Sequence, residues 1–283
     1  MNTDFDLLLC TDGSEHSQAG LAYGITLAEA LRRPVVLLGA SGGRATPDLK
    51  DQVDDTARRL QDLGIDFMIR QSSSSLVEAI ETQAAAGNYL TVYSTPQRSF
   101  LYRLLRQSTF QRLMAETETP LIRLREVRTP IRNILMCSGG MHYTTGLEML
   151  VNRIAKAAGA RITLLHVAEP DIDRDDFNAD AANFLCSDSP HARYMRAALD
   201  RAHAAGLEAK VHLRRGVAVH EILAEIQCGN YDLVGLGSTH SAESRREAEL
   251  RHTYMPSITA QVALDVDVPV LVVRKPADAG ETE

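Results

Sequence analysis

The chain opens on an apolar run, Leu7-Leu8-Leu9-Cys10, then breaks at Thr11-Asp12-Gly13 into turn residues, and apolar side chains resume at helical spacing with Leu21, Ile25, Ala28 and Leu31. The run predicts a strand from Asp6 to Thr11, and the spaced residues predict a helix whose start is capped by Ser14 to Ser17. The alternation continues. Strands are expected at Pro34 to Leu38, Phe67 to Ile69, Tyr89 to Tyr93 and Leu121 to Leu124. Between them lie a polar-rich helix from Pro47 to Leu63, a helix through Leu76, Ile80 and Ala84 behind Ser72 to Ser75, and a helix from Leu101 to Met114. The rest of the chain repeats this order, with strands at Asn133 to Cys137, Ile162 to Val167, Ala209 to Leu213, Leu233 to Leu236 and Val270 to Val273. Its helices are expected at Gly146 to Ala158, His191 to Ala205, His220 to Ile226 and Pro256 to Leu264. Continuous Val/Ile/Leu runs separated by helices predict parallel sheets covered on both faces. Each half therefore reads as a five-stranded, doubly wound, Rossmann-like α/β sheet. A ligand site is expected beyond the carboxyl ends of its strands, at the loops after Thr11, Tyr93, Ser138 and Leu236.

The repetition extends to particular residues. Leu7 to Gly13 answers to Ile134 to Gly140, Gly87-Asn88-Tyr89 recurs as Gly229-Asn230-Tyr231, and Pro120 to Arg125 recurs as Pro269 to Arg274. A repeat of this length is too long for a solenoid unit and suits a whole small domain. The 283 residues divide into domain 1 (1–126), a linker (127–132) around Pro130, domain 2 (133–276) and a disordered tail (277–283). The two halves are expected to dock as an internal pseudo-dimer through their last strands, whose matched apolar runs would cover each other's sheet edge. Cys137 lies 127 residues after Cys10, whereas Tyr231 lies 142 after Tyr89, so the second half has gained about fifteen residues, between Ala168 and Arg193. The acidic stretch there, Glu169 to Asp176, is expected to be a solvated loop or a cap over the sheet edge. As a calcium loop it fails, with Asp176 in place of the turn glycine and Ala182 in place of the twelfth-position acid.

Composition narrows the function. A net charge of -7 and a pI of about 5.7 argue against nucleic acid as the main partner. No apolar run approaches the length of a membrane span, and the start, Met1 to Asp6, is acidic where a secretory signal is basic and then apolar. A cytoplasmic protein without membrane contact is expected. The four cysteines show no framework or C-x-x-C spacing and read as buried free thiols.

The motifs carry a resemblance. Leu7-Leu8-Leu9-Cys10-Thr11-Asp12-Gly13-Ser14-Glu15-His16-Ser17 resembles the first strand and turn of the universal stress protein family, and Asn230 to Ser238 resembles its fourth strand. The paired final strands, each opening with Pro and ending in Arg, are also similar to that family. The chain is thus similar to a tandem universal stress protein, which implies the adenine nucleotide alpha-hydrolase-like superfold. Nucleotide-binding members carry an Asp after the first strand and the pattern G-x-x-G-(nine residues)-G-[S/T] after the fourth. Glycines there let backbone N–H groups approach phosphate, and the last one opens a helix whose positive end favours anions.

Neither half has the complete set. In the first, Asp12 and Gly13 are present, but the three glycine places hold Ser94, Gln97 and Gln107, followed by Ser108. Arg98, Arg103 and Arg106 are available to compensate, although a solvated helix face explains them. In the second, Gly139 takes the Asp place, Gly237 and Ser238 are kept, His240 replaces the second glycine, and after an insertion the final Gly-Ser becomes Pro256-Ser257. Proline has no N–H to offer a phosphate. The resemblance implies ligand-binding candidates Asp12, Gly13, Gly237, Ser238 and Ser257. Any residual ligand divides between a purine-like group at Asp12 and a small anion at Gly237, Ser238 and Ser257.

Other chemistries are weaker. Gly235-Leu236-Gly237-Ser238-Thr239-His240 is a failed dinucleotide fingerprint. Asp12, Ser14 and His16 are the residue types of a nucleophile and base, but they crowd one turn, where capping explains them, and no nucleophile elbow is present. His142, His166, His240 and His252 fall near the mouth of the second sheet without zinc-ligand spacing, so no metal is expected. Gln71 to Ser75 and Arg214 to Val217 each precede a helix and read as caps. The resulting expectation is a non-catalytic tandem universal stress protein, regulatory or protective in the stress response. Its nucleotide site is degenerate in both halves, ATP binding is weak or absent, and no cofactor is needed. An ATP-binding stress switch, or an adenine-nucleotide-dependent enzyme of the same superfold, is the alternative. A protein partner is expected, its identity open, and a homodimer is compatible with the sequence.

Overall fold

A computed structural model of the chain describes residues 5–43, 47–95, 109–117, 119–137, 144–169, 181–238 and 257–274. The chain divides into two compact units between Arg128 and Thr129, within the stretch read as linker.

In the first unit the apolar runs form β1 (Asp6–Thr11), β2 (Val35–Ala40), β4 (Tyr89–Ser94) and β5 (Leu121–Leu124), with Leu7, Leu8, Leu9, Leu37, Leu90 and Ile122 fully buried. With β3 (Phe67–Ser72) they pair in the order β3-β2-β1-β4-β5, every described pair parallel. The order reverses at β1, so β1 and β4 deliver their following loops side by side at the carboxyl edge, the switch point of a doubly wound sheet. Four helices are described beside the strands: α1 (Glu15–Leu31), α2 (Pro47–Asp62), α3 (Leu76–Ala85) and α4 (Thr109–Glu116). α1 lies on β1 and β4. Ser75 begins α3 with a full capping box, its hydroxyl accepting from the Glu78 N–H while the Glu78 carboxylate accepts from the Ser75 N–H.

The second unit repeats the plan. β6 (Asn133–Cys137), β7 (Arg161–Ala168), β8 (Ala209–Arg215), β9 (Leu233–Ser238) and β10 (Val270–Arg274) pair in parallel in the order β10-β9-β6-β7-β8. Its described helices are α5 (Thr144–Ala158), α6 (Ala181–Cys186), α7 (Pro190–Ala204), α8 (Ala218–Cys228) and α9 (Ile258–Asp265). The recurring Gly-Asn-Tyr has a packing cause. A Cβ on Gly87 would sit 2.7 Å from the Tyr89 ring and one on Gly229 2.2 Å from the Tyr231 ring, so each tyrosine folds back over its own glycine.

Several expectations change. Between Ala168 and Arg193 the chain also forms α6, whose Phe184 is fully buried and packs against His166. α7 starts one residue earlier than expected, at Pro190 behind the cap Ser189. The sheets are not covered throughout, because β3 and β8 lie at edges and expose much of their length. Cys10 and Cys137 are buried, but Cys186 and Cys228 are exposed. Arg214 to Val217 do not cap α8; the Glu169 carboxylate does so from another loop, accepting from the Ala218 N–H at 2.9 Å. Gln97, Arg98, residues 101–108 (with Arg103, Arg106, Gln107 and Ser108), Gly139, His142, residues 170–176, His240, His252, Pro256 and residues 277–283 lie outside the described residues.

Candidate functional site

In the first unit, the turn after β1 is held by its own side chains. Asp12 Oδ1 accepts from the Ser14 N–H at 3.0 Å, from the Ser17 hydroxyl at 2.6 Å and from the Ser14 hydroxyl. The bond to Ser14 N–H is an Asx turn, which the Asp-Gly-Ser sequence favours. Ser14 occupies the cap position of α1 but makes no side-chain cap bond, contrary to expectation, because its hydroxyl is turned toward Asp12, Ser17 at 2.9 Å and His16 Nε2 at 3.1 Å. Partial burial pushes the Asp12 carboxyl up, but the hydrogen bonds from Ser14 and Ser17, with His16 nearby, outweigh it and hold it below the usual carboxylate range. The order of contacts is Asp–Ser–His. A hydrolytic relay needs the imidazole between carboxylate and hydroxyl, so this cluster has the residues of a triad without its geometry.

The start of α2 closes over that turn. Gly13 has φ +81°, and a Cβ there would meet the Leu49 main chain at 2.8 Å, so only glycine satisfies both the left-handed backbone and the close approach. Gln52 joins the two elements, its Oε1 accepting from the Thr11 hydroxyl at 2.6 Å and its Nε2 donating to Ser14 O at 2.9 Å, while the Gly13 N–H donates to Thr11 Oγ1 at 3.0 Å. A groove of about 410 Å³ runs from Gly13 between α1 and α2. Among the described residues, Glu15, Asp48, Asp51 and Asp55 line it against a single cation, Arg59. Four carboxylates against one guanidinium give these described lining residues a net negative charge. Neither Gln52 nor this carboxylate row was singled out from sequence, although Asp48, Asp51, Gln52 and Asp55 stand at helical three- and four-residue spacings that mark one face.

Ser94, at the first glycine place, has its hydroxyl buried beneath α1, where a Cβ on Gly20 would come 2.3 Å from it. The neighbouring end of β4 and β5 is also filled: Tyr93 pairs in register with Arg123, both fully buried, and the Arg123 guanidinium stacks over Phe110 at 5.9 Å. Desolvation pushes the Tyr93 phenol far up, so it stays protonated.

In the second unit, Gly237 and Ser238 end β9, and the Thr259 hydroxyl of α9 donates to Gly237 O at 2.6 Å. Ser257 is the cap of α9, its Oγ accepting from the Ala260 N–H at 3.2 Å. The Ser238 hydroxyl is buried with no hydrogen-bond partner among the described residues. Gly237, Ser238 and the start of α9 are thus brought together, whereas Asp12 and Gly13 belong to the other unit's turn.

The matching of residues 131–274 to the universal stress protein family decides the kinship. The chain belongs to the universal stress protein family. No curated protein matches it. Among solved structures, a universal stress protein from Archaeoglobus fulgidus is 17% identical, with a TM-score of 0.65 over 96% of this chain and 97% of that one. A putative universal stress protein from Pseudomonas aeruginosa is 15% identical, with a TM-score of 0.67 over 96% and 94%. A functionally unknown Pseudomonas aeruginosa protein gives 16%, 0.66, and 96% and 92%. At these identities the likeness shows the fold.

Elsewhere in this universal stress protein, His166 stacks between Phe184 at 5.1 Å and His191 at 4.7 Å, inside the packing of α6 and α7. Among the described residues no group of three or more His, Cys, Asp or Glu is placed to hold a metal ion. No described helix is long and apolar enough to cross a membrane. A second hollow, of about 380 Å³, lies at the opposite end of the second sheet against Asn133, Thr163 and Tyr231, away from the switch point.

Proposed function

We propose that this universal stress protein is non-catalytic and serves a regulatory or protective role in the stress response, with a nucleotide site degenerate in both repeats. The observation that carries the reading is the first-unit mouth. Asp12 Oδ1 is taken up by Ser14 and Ser17, and the adjoining groove presents Glu15, Asp48, Asp51 and Asp55 to any incoming phosphate. Like charges at such a mouth oppose a nucleotide polyphosphate. Isothermal titration with Mg-ATP tests it: no saturable binding in the low micromolar range is expected, and stoichiometric binding there overturns the reading. Mass spectrometry of the natively purified protein is the companion measurement, with a nucleotide retained at one per chain as the contrary result.

A second reading, an ATP-binding switch operating through the second repeat, draws support from the buried Ser238 hydroxyl, which has no hydrogen-bond partner among the described residues, beside the capped start of α9. It expects nucleotide binding that Ser238→Ala weakens and Asp12→Ala leaves unchanged. Docking of the two repeats as a pseudo-dimer, and residence in the cytoplasm without nucleic-acid or membrane contact, belong to the proposal as well. The docking is tested by expressing residues 1–126 alone, where a stable, soluble monomer counts against it.

A further inference from the structure

The first unit ends its sheet on β3, and the first half of this edge, Phe67 to Ile69, is apolar. Of the described residues, the large exposed hydrophobic side chains are Leu63, Met68, Ile69, Met149, Val217 and Ile258, and three of these six fall on β3 or the turn that leads into it. Met68 is 50% and Ile69 40% exposed, and both sit on a regular strand whose outer side pairs with no strand among the described residues. Such an edge is a template for another strand.

The hydrogen bonds fix which backbone groups are available. The Val35 N–H donates to Asp66 O and the Ser41 N–H to Ser72 O, each at 2.9 Å, so even-numbered residues of this segment turn their main-chain groups toward β2. Phe67, Ile69 and Gln71 therefore direct theirs outward. An incoming antiparallel strand must match outward residues with outward residues as its hydrogen-bonded pairs.

We propose that β3 is a self-association edge on which a second copy of this chain adds its own β3 antiparallel, with Met68 facing Met68 across the twofold axis. In this register Phe67 of each copy exchanges both backbone hydrogen bonds with Ile69 of the other. Asp66 of each copy then faces Arg70 of the other at a close, non-hydrogen-bonded site, where Cα atoms are about 4.5 Å apart. Opposite charges at such sites stabilise a pair of strands and like charges oppose it. The same side chains alternate correctly by face: Asp66, Met68 and Arg70 share one, Phe67 and Ile69 the other. Sliding the register by two residues in either direction removes both charge pairs, putting Arg70 against Met68 or Gly64. Asp66 and Arg70 make no ion pair or side-chain hydrogen bond within their own chain among the described residues, so both are available. The occupant is a second copy because the strand's charge pattern is complementary to itself when reversed.

Sedimentation velocity of the full chain over a range of concentrations at low salt reads the association. A reversible dimer is expected, weakened on the order of tenfold by Arg70→Asp, which sets Asp66 against Asp at both ends. Asp66→Arg is expected to do the same, and the double exchange Asp66→Arg with Arg70→Asp to restore association. Circular dichroism checks that each variant is folded. In a Cys186→Ser, Cys228→Ser background, Met68→Cys is expected to oxidise to a disulfide-linked dimer, since the facing Cα separation lies within disulfide reach. A chain that stays monomeric throughout, an association unchanged by either single reversal, or a double exchange that fails to restore it overturns the proposal.

Discussion

The edge strands β3 and β8 occupy matched places in the two units and are finished differently. Cys10 pairs with Leu38 and Leu38 with Arg70, just as Cys137 pairs with Leu165 and Leu165 with His212, so the two edges can be aligned residue by residue. Where β3 has Phe67, Met68, Ile69, Arg70 and Ser72, β8 has Ala209, Lys210, Val211, His212 and Arg214. The cause lies one layer away. Glu225 on α8, its side chain 5% exposed, accepts from Tyr231 at 2.5 Å and Arg214 at 2.7 Å and contacts His212 at 3.0 Å. Its counterpart on α3 is Gln83, which donates to the Tyr89 hydroxyl at 2.9 Å and holds no cation. A carboxylate beneath the edge gives basic side chains on the strand a fixed partner, and charged edges resist strand addition. An amide in the same place offers no such partner, and the first edge is apolar over Phe67 to Ile69, with Arg70 the single cation of its strand.

The largest test of this contrast is to remove the hub. Glu225→Ala removes the carboxylate that Tyr231 and Arg214 share, leaving Arg214 only Glu221 at 3.1 Å, and is expected to cost about 3 kcal/mol. Gln83→Ala removes one neutral hydrogen bond, and its expected cost is about 1 kcal/mol. Urea unfolding measures both, and equal losses would show that the charge of the hub has no bearing. The glycines beneath the tyrosines come next. Gly229→Ala would press a methyl group on the Tyr231 ring and is expected to cost about 2 kcal/mol by overpacking. Gly87→Ala is expected to cost less, because its Cβ would meet the Tyr89 ring at 2.7 Å rather than 2.2 Å and that tyrosine is bonded to a side-chain amide, not to a buried carboxylate. The reverse ranking would break the comparison.

Much of this architecture was legible in the sequence, and the reason is period. Runs such as Leu7 to Cys10 and Val270 to Val273 are buried on both sides, so their composition declares a central parallel strand whatever surrounds them. The repeated Gly-Asn-Tyr was visible as repetition, but its cause, a tyrosine ring lying over its own glycine, is a contact that no periodicity encodes. At the candidate site, the residue types at Asp12, Gly237 and Ser257 were readable, while their partners were not. Whether the Asp12 carboxylate faces a ligand or its own turn depends on side-chain rotation within six residues. Whether Gly13 is open or covered depends on Leu49, thirty-six positions along the chain. The edges were misread because Phe67-Met68-Ile69 has the composition of a covered strand, and only its place in the strand order leaves it exposed.

Acid titration sharpens the contrast with a smaller effect than truncation, because a protonated Glu225 still keeps neutral hydrogen-bond partners. Desolvation pushes the Glu225 carboxyl up, but the bonds from Tyr231, Arg214 and His212 outweigh it and leave its pKa below the ordinary 4.5. A carboxyl depressed in the folded state stabilises the fold fully above its unfolded pKa, and that contribution is lost as pH falls through the folded value. Stability is therefore expected to fall on acidification below about pH 4.5, and Glu225→Gln to flatten that fall. Asp12 is depressed too, so the comparison is made in an Asp12→Asn background, where Glu225 is the remaining carboxyl with a lowered pKa among the described residues. Gln83→Ala, which changes no titrating group, should leave the slope as it was. An unaltered acid slope in Glu225→Gln would mean that the hub is not held in its charged form.

The smallest effect on folding is expected from transplanting the second edge's charge onto the first. Met68→Lys gives β3 the residue that β8 carries at Lys210, and because Met68 is 50% exposed, thermal or urea unfolding should change by no more than about 0.5 kcal/mol. The same variant places two ammonium groups face to face in the self-associated arrangement, so association should weaken while stability holds. This separation of the two readouts is what makes the variant informative. A large loss of stability would mean that Met68 packs within its own unit more than its exposure indicates, and that the apolar composition of β3 serves the fold. Unchanged stability with unchanged association would leave the edges different in composition but equivalent in behaviour, and the link drawn here from the charge of the buried hub to the character of the edge would fail at its outer end.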